Sequence, residues 1–349
     1  MSVPLDRVAV VMISTVGNAV HTLPVINSLK AHRPEARITW IMQPGSAALV
    51  QGHPAVDEVV VLDRKRGMAG FAALRRALEG HRFDVALNLQ AYLKAGVATA
   101  LTGAPVRVGY DRARARDLTW LFSTHRLPAR PRGHVQDEFL EFLEFLSVPV
   151  RLEWGLEPTR EERVRYAPLL PDAAGATVAM VVGTTKAEKE WPAERYAAVA
   201  DRVATELGGR TVLVGGRSPR EEAAAAAIRA AASHPPLDLR EWDLRRLAYL
   251  LDRADVLVSP DTGPLHMGVA LRTPTVALMG HTNPKRYGPY RRYGDLLVDA
   301  FGDPGEEYPV SAPNRAGRMG RITVEQVMEK VDLALRRYRS VSPDGQPSP

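Results

Sequence analysis

The sequence has no cysteine among its 349 residues, which excludes disulfide bonds and thiolate metal sites and agrees with a reducing compartment. No apolar run approaches the roughly 20 residues that a membrane-spanning helix needs. The opening residues, MSVPLDRVAVVMIS, lack the basic start and the small-residue cleavage site of a signal peptide. We therefore expect a cytoplasmic protein, and its length favours two domains over one.

Signatures of several binding functions are also absent. Residues 15–20 (TVGNAV), which follow the first predicted strand, do not supply the GxGxxG of a dinucleotide-binding fold, so a nicotinamide enzyme is disfavoured. The chain has no P-loop, basic recognition helix, zinc-ligand spacing or aromatic-basic RNA motif, so nucleic acid is not expected as a partner. The net charge of +6 comes largely from arginine. It fits an anionic ligand or membrane surface, although the residue usage of a GC-rich genome would give the same balance.

Strands and helices alternate along the chain in two series, which is typical of the α/β class with doubly wound parallel sheets. The predicted strands are 7–14, 38–42, 58–62, 84–89, 107–109, 177–182, 210–214, 256–258 and 275–279. The predicted helices are 21–31, 71–78, 94–102, 136–146, 193–207, 219–232, 244–253, 264–271 and 323–338. Proline and charge interrupt the alternation at 148–172, where we place the domain boundary. The expected parts of the chain are domains over 1–150 and 173–325, a C-terminal helix over 326–340 and a disordered tail over 341–349.

The segment 254–281 contains two short apolar runs joined by small residues, which predicts two buried strands with a short helix between them. The residues that would crowd the end of the first strand and the start of the helix are Asp261, Thr262, Gly263 and His266. Ligands bind at this edge in open α/β sheets, and the unpaired N–H groups of a helix start favour a phosphate. The alternative is an ordinary turn capped by Asp261, which leaves His266 without a role.

A second polar loop, 182–192 (VGTTKAEKEWP), follows another predicted strand. The hydroxyls of Thr184 and Thr185 and the ammonium of Lys189 would stand beside the start of the next helix. Hydroxyl and ammonium groups at such a position can hold a diphosphate. Taken alone, the loop is also consistent with a solvated surface segment.

Four motifs occur in order along the chain: TVGNAVHTLPVINSLK, VGTTKAEKEWPAERY, a turn with Gly215-Gly216 before Glu221-Glu222, and SPDTGPLHMGVAL. With them the chain resembles glycosyltransferase family 9, the ADP-heptose:lipopolysaccharide heptosyltransferases, over nearly its whole length. The resemblance implies a GT-B architecture, in which two Rossmann-like domains with parallel sheets face each other across a cleft. The N-terminal domain would bind the acceptor and the C-terminal domain the nucleotide sugar.

The resemblance implies a nucleotide-sugar site composed of Thr184, Thr185, Lys189, Glu221, Glu222, Trp242, Asp261, Thr262, Gly263 and His266. The threonines and the lysine would hold the diphosphate of ADP-heptose, and the Asp-Thr-Gly loop would lie against the diphosphate and the heptose. The histidine would orient that loop or touch phosphate. One of the glutamates would accept the ribose hydroxyls, and the tryptophan would stack on the base unless it is a core residue. No cofactor is implied, and the absence of a D-x-D pair fits metal-independent transfer.

Two basic clusters follow predicted strands of the first domain and are candidates for acceptor binding. They are Arg64, Lys65 and Arg66, and Arg112, Arg114 and Arg116. The acceptor that the resemblance implies is the lipid A–Kdo core of lipopolysaccharide or a heptosylated form of it. Either one carries carboxylates and phosphates that arginine binds well. Ordinary solvated loops are the alternative. An enzyme with this acceptor would be cytoplasmic, in peripheral contact with the inner membrane.

Asn18 departs from the family pattern, which has an Asp there as the presumed catalytic base. A carboxamide cannot act as a general base near neutral pH, although it can hydrogen-bond the acceptor hydroxyl. Asn18 and Asp261 are the candidate catalytic residues, with His21 and Asp111 as further candidates for the base. Transfer with little base assistance, and a protein that binds nucleotide sugar without turnover, are alternatives. A transferase of another ADP-sugar and a nucleotide-sugar epimerase of the same architecture also remain open.

Overall fold

The structure is a computed structural model that describes residues 3–184 and 186–338. The chain divides into two compact units between Leu156 and Glu157, a point inside the proline- and charge-rich segment 148–172. Thr185, the last two residues of the C-terminal helix expected at 326–340 and the tail expected at 341–349 lie outside the described residues. Within the described part of the chain, no helix combines the length and the apolar content needed to cross a membrane.

The first unit contains one parallel sheet and its connecting helices. Its strands are β1 (Arg7–Val11), β2 (Arg37–Met42), β3 (Glu58–Val61), β4 (Val85–Asn88), β5 (Val106–Gly109) and β6 (His125–Arg126). Its helices are α1 (Val16–His32), α2 (Pro44–Ala47), α3 (Met68–Ala77), α4 (Leu93–Leu101) and α5 (Val135–Phe145). The strands pair in the order β3-β2-β1-β4-β5-β6, and all pairs are parallel.

The second unit is built in the same way. Its strands are β7 (Thr177–Val181), β8 (Arg210–Val214), β9 (Leu237–Asp238), β10 (Val256–Pro260), β11 (Thr275–Met279) and β12 (Leu297–Asp299). Its helices are α6 (Arg160–Tyr166), α7 (Ala193–Leu207), α8 (Pro219–Ala231), α9 (Leu244–Asp252), α10 (Gly263–Ala270), α11 (Pro284–Tyr287) and α12 (Val324–Tyr338). The order is β12-β11-β10-β7-β8-β9, again with parallel pairs.

The two sheets have the same topology. Counted from the first strand of each unit, the order is 3-2-1-4-5-6 in both, which is the order of doubly wound dinucleotide-binding sheets. The strand order reverses between β1 and β4 in the first unit and between β7 and β10 in the second. Each reversal leaves a crevice at the carboxyl ends of the strands, and ligands of open α/β sheets bind in such crevices.

The central strands are buried on both faces, as parallel strands covered by helices must be. All residues of β7 and of β10 are buried, which explains their continuous apolar sequence. Gly268 lets α10 approach the sheet closely, because a Cβ added there would lie 2.5 Å from the Leu257 side chain. This close packing fixes the start of α10 at the end of β10.

The predicted strands and helices are all present, and the largest shift is at α1, which begins at Val16 rather than at residue 21. Its first turn contains one polar residue, Asn18, between a glycine and an alanine, so the sequence shows no amphipathic pattern there. The structure also adds α6 inside the segment 148–172, where a capping box of Thr159 and Glu162 begins the helix. Tyr166 of α6 donates to Asp243 at 2.7 Å, which ties this helix to the start of α9.

Candidate functional site

Lys189 and Asp261 meet at the strand-order reversal of the second sheet. Lys189 lies in the loop after β7, and Asp261 directly follows β10, the neighbour of β7. The Lys189 ammonium donates to Asp261 Oδ2 at 2.6 Å and to the backbone carbonyl of Asp261 at 3.2 Å. Both side chains are largely buried. The pair therefore holds an ammonium group at the edge of the sheet where an anionic ligand is expected.

Asp261 also faces His266, whose Nε2 lies 3.6 Å from Asp261 Oδ1. Burial alone would raise the pKa of the Asp261 carboxyl, but a hydrogen bond with His266 and the charge of Lys189 lower this pKa well below its ordinary value. The carboxylate therefore stays ionised near neutral pH and is a weak base. Because His266 is buried in α10, it fixes the position of the carboxylate from the helix side.

Helix α10 begins without a side-chain cap. Thr262 is its N-cap residue but makes no capping bond, and its hydroxyl donates to the carbonyl of Pro260 at 3.4 Å. Asp261 is not the cap, contrary to the ordinary-turn alternative, because its carboxylate faces Lys189 and His266. The first N–H groups of α10, which begins at Gly263, suit the oxygens of a phosphate.

The loop after β7 also contains Thr184, which is partly buried. Its hydroxyl donates to the backbone carbonyl of Lys186 at 2.5 Å. The short 3-10 turn Ala187–Lys189 follows and returns the chain toward β10. Thr184 and Lys189 therefore share one loop at the sheet edge that Asp261 also occupies, while the position of Thr185 stays a prediction.

Trp242 lies beside the glycine turn that follows β8. A Cβ added to Gly216 would lie 2.5 Å from the Trp242 ring, and one added to Gly183 would lie 2.2 Å from the Glu221 side chain. These two glycines let the tryptophan and the glutamate approach the ends of β8 and β7. Trp242 is 67% exposed, which excludes a core position and leaves the ring accessible to a planar ligand.

The two glutamates at the start of α8 have different partners. Glu221 forms a capping box with Ser218 and accepts a hydrogen bond from the Gly216 N–H at 3.0 Å. Glu222 accepts from Arg240 at 3.0 Å and from Arg217 at 2.9 Å, and these hydrogen bonds lower the pKa of its carboxyl. Glu221 is thus the one that contacts the glycine turn beside Trp242.

Asn18 lies in the first turn of α1, at the strand-order reversal of the first sheet. Its Nδ2 donates to Ser14 Oγ at 3.0 Å. Across the reversal, β4 ends at Asn88, whose Nδ2 is buried and has no hydrogen-bond partner among the described residues. Gln90 accepts from the Ile13 N–H at 2.8 Å. Sequence reasoning missed Asn88 and Gln90, although polar residues at the end of an apolar strand were the available signal.

A family model for glycosyltransferase family 9 (heptosyltransferase) matches residues 71–299, more than half of the chain. The chain belongs to glycosyltransferase family 9. It is therefore a glycosyltransferase. The family resemblance inferred from the sequence motifs is confirmed.

Curated relatives of this family 9 chain include the lipopolysaccharide core heptosyltransferase OpsX of Haemophilus influenzae, which is 27% identical over 93% of this chain and 96% of its own length. Lipopolysaccharide heptosyltransferase 1 of Escherichia coli K12 is 26% identical over 81% of this chain and 91% of its own length. Each alignment spans most of both proteins, so the likeness is not confined to a single motif.

Solved structures show the same fold. A family 9 glycosyltransferase of Veillonella parvula superposes with a TM-score of 0.82 at 24% identity and covers 96% of this chain and 99% of its own. Escherichia coli heptosyltransferase WaaC, solved with ADP-2-deoxy-2-fluoro heptose, superposes with a TM-score of 0.74 at 24% identity and covers 94% of this chain and 99% of its own. The α/β class and the two parallel Rossmann-like sheets of the GT-B prediction are confirmed.

The two other candidates for the base in this family 9 chain, Asp111 and His21, are buried and contact other protein groups at hydrogen-bond distance. Asp111 accepts from Arg114 Nε at 2.5 Å and from the Ala113 N–H at 2.9 Å. His21 lies in α1 with its Nδ1 2.9 Å from Gln136 Oε1. Neither side chain is exposed at the surface of the first unit, which disfavours both as the base.

The two basic clusters of the family 9 chain differ in exposure. Lys65 and Arg66 are exposed, and Arg64 donates to Gln43 at 2.9 Å. Arg112 and Arg116 are exposed as well. In both clusters the exposed cations stay candidates for binding an anionic acceptor.

Arg114 corrects the sequence prediction, since its side chain is only 2% exposed. It pairs with Asp111 and, at 2.8 Å, with Glu141 Oε1, and it also donates to the carbonyl of Pro128. Its guanidinium is therefore held in buried ion pairs that stabilise the fold and is not accessible to a ligand. No group of His, Asp or Glu side chains in residues 3–184 and 186–338 is arranged to hold a metal ion.

Proposed function

We propose that this family 9 glycosyltransferase transfers heptose from ADP-heptose to the inner core of lipopolysaccharide, with inversion and without a metal ion. The observation that carries the proposal is the Lys189–Asp261 contact, which joins the ends of β7 and β10 at 2.6 Å. The curated relatives named as lipopolysaccharide heptosyltransferases support this donor and acceptor. So does the relative solved with an ADP-heptose analogue.

The donor extends along the carboxyl edge of the second sheet. Its base stacks on Trp242 near β8, and one of Glu221 and Glu222 accepts the ribose hydroxyls. Its diphosphate lies between the loop of Thr184, Thr185 and Lys189 and the start of α10. This order along the edge follows the strand order β8-β7-β10, and neighbouring parallel strands are about 4.8 Å apart.

Lys189 and the start of α10 stabilise the negative charge that develops on ADP as it leaves. These groups are positioned before the reaction, so they need no reorganisation in the transition state. The ammonium and the helix N–H groups thereby do what Mg²⁺ does in metal-dependent transferases. Asp261 keeps the Lys189 ammonium in place through an ion pair, which is stronger because both side chains are largely buried.

The acceptor binds at the first unit, where Asn18 hydrogen-bonds the attacking hydroxyl. The oxygen attacks the anomeric carbon on the face opposite ADP, so the configuration inverts, and the hydroxyl proton is lost to solvent because the amide of Asn18 cannot take it. Exposed cations of the two basic clusters bind the anionic groups of the acceptor. Since the acceptor is anchored in a membrane, the enzyme works at the cytoplasmic face of the inner membrane.

Asn18 also favours a second candidate, a protein that binds the nucleotide sugar with little or no turnover. The full chain incubated with ADP-heptose and a heptose-free core acceptor separates the two. Acceptor-dependent release of ADP with a heptosylated product supports transfer. Binding without turnover, together with strong turnover by Asn18→Asp, supports the second candidate. Consumption of ADP-heptose without acceptor would instead indicate an epimerase. Turnover with a different ADP-sugar, but not with ADP-heptose, would show that the donor is that other sugar nucleotide.

A further inference from the structure

Four apolar side chains stand exposed on two loops of the first unit. Tyr92 and Leu93 follow β4 and are 51% and 43% exposed, while Leu118 and Leu121 follow β5 and are 60% and 58% exposed. We call these four residues the apolar patch. Large apolar side chains that cluster at a surface mark a site of interaction more often than chance exposure does.

The two loops that carry the apolar patch support each other. The Arg116 N–H donates to the carbonyl of Ala91 at 2.7 Å, and Thr119 Oγ1 donates to the carbonyl of Tyr92 at 2.8 Å. Gly96 of α4 permits this contact, because a Cβ there would lie 2.7 Å from Thr119 Oγ1. The exposed side chains therefore project from two segments whose backbones are hydrogen-bonded to each other.

The backbone at the tip of the second loop is strained. Asp117 and Leu118 have φ values of 51° and 59°, in the left-handed region that a leucine rarely adopts. Asparagine or glycine would hold this turn at lower cost. The backbone is therefore strained at the residue, Leu118, whose apolar side chain is exposed to solvent.

Cations surround the apolar patch. The Arg112 and Arg126 guanidinium carbons lie 4.2 Å and 5.2 Å from the centroid of the Trp120 ring, and that of Arg116 lies 5.7 Å from the Tyr92 ring. Lys94 is exposed beside Leu93. The exposed acidic residue on these loops is Asp117, so positive charge predominates. Arginine over an aromatic ring keeps its charge at an aqueous boundary while its stem covers apolar surface.

We propose that the first unit docks on an anionic lipid bilayer through the apolar patch and its surrounding cations. The leucines enter the headgroup region, and Arg126 and Lys94, exposed cations outside the two basic clusters, bind lipid phosphates. This combination of apolar insertion and basic charge gives stable peripheral attachment. The patch lies at the carboxyl edge of the first sheet, one and two strands from β1, so docking brings the Asn18 edge near the bilayer. The proposal rests on the proposed function only in that the expected acceptor is membrane-anchored.

The test compares the full chain with the double variant Leu118→Asp/Leu121→Asp in sedimentation with vesicles of phosphatidylcholine, with and without phosphatidylglycerol. The matched control is Val150→Asp/Val164→Asp, which makes the same change of charge at exposed valines elsewhere in the chain. We expect the native chain and the control to bind the anionic vesicles, less so at high salt. The affinity of the Leu118/Leu121 variant for the anionic vesicles should fall by roughly ten-fold or more. Aspartate tolerates the left-handed conformation at residue 118, so the variant should fold.

The proposal would be overturned if the Leu118/Leu121 variant bound the anionic vesicles as tightly as the native chain does. It would also be overturned if the native chain did not bind these vesicles. A change of oligomeric state in that variant would overturn it as well, because the patch would then contact a second copy of the chain. ADP binding and transfer to a detergent-dispersed acceptor are measured in parallel and should not change. If transfer is absent in every variant while vesicle binding still depends on the patch, the proposed function fails and the docking surface stands.

Discussion

Lys189 and Asp261 are 72 residues apart in the sequence, and the ammonium of one lies 2.6 Å from the carboxylate of the other. The contact exists because β10 adds to the sheet next to β7, which brings the loop after each strand to one edge. His266 holds the far side of the carboxylate. The charge that the proposed mechanism needs is thus positioned by the sheet topology.

Replacing Lys189 with alanine should weaken ADP binding by about 1.5–3 kcal/mol, the range for a charge-assisted hydrogen bond. Calorimetric titration with ADP measures the loss. Lys186→Ala is the control, since Lys186 is an exposed lysine of the same loop and should keep most of the affinity. Unchanged affinity in Lys189→Ala would remove this lysine from the site.

Replacing Asp261 with asparagine should lower the free energy of unfolding at neutral pH by roughly 1–3 kcal/mol, because the largely buried ammonium of Lys189 loses its charged partner. The pKa of Asp261 is lowered in the folded state, so its contribution to stability is present above the unfolded pKa of about 3.9 and is lost as the pH falls further. Denaturation at neutral and at acidic pH should show the difference between the two proteins shrink below about pH 4. Glu188→Gln, at an exposed carboxylate of the neighbouring loop, is the control, and a constant difference would contradict the assignment.

Replacing Asn18 with aspartate should raise the transfer rate by roughly 10²-fold or more, because a carboxylate in the first turn of α1 can take the hydroxyl proton. ADP affinity should not change, since Asn18 belongs to the first unit. The rate should also acquire an acidic limb in its pH profile. Equal rates for the two proteins would indicate that transfer needs no base at this position.

Replacing Trp242 with alanine should weaken ADP binding by about 1–3 kcal/mol, the range for stacking of a base on an aromatic ring. Trp242→Phe should recover most of the loss because it keeps an aromatic face. Both are measured by titration with ADP. Affinity that is the same in all three proteins would show that the exposed ring has another role.

Replacing Arg114 with alanine should destabilise the protein by roughly 3–5 kcal/mol, because it leaves Asp111 and Glu141 without their shared buried cation. Arg116→Ala, at an exposed position of the same cluster, should leave the unfolding midpoint nearly unchanged. Chemical denaturation distinguishes them. Similar stability of the two variants would contradict the structural role of Arg114.

The sequence by itself determined the α/β class, the two series of strands and the family. Apolar strands buried on both faces leave continuous apolar runs such as 256–258, and the polar residues that follow them identify the carboxyl edge of a parallel sheet. Asp261, Thr184 and Lys189 could be found in this way. The helix α6 was missed although Thr159 and Glu162 form a recognisable capping signal, because the proline and charge around it suggest a linker.

Tertiary structure alone decided which polar residues are available to a ligand. Arg112, Arg114 and Arg116 are alike in sequence, but only Arg114 is drawn inward by Asp111 and Glu141, one of which is distant in the chain. Trp242 is exposed although its ring packs against Gly216 beside β8, and Leu118 is exposed at a left-handed turn. Periodicity reports the face of one element, whereas burial depends on which other elements pack against it.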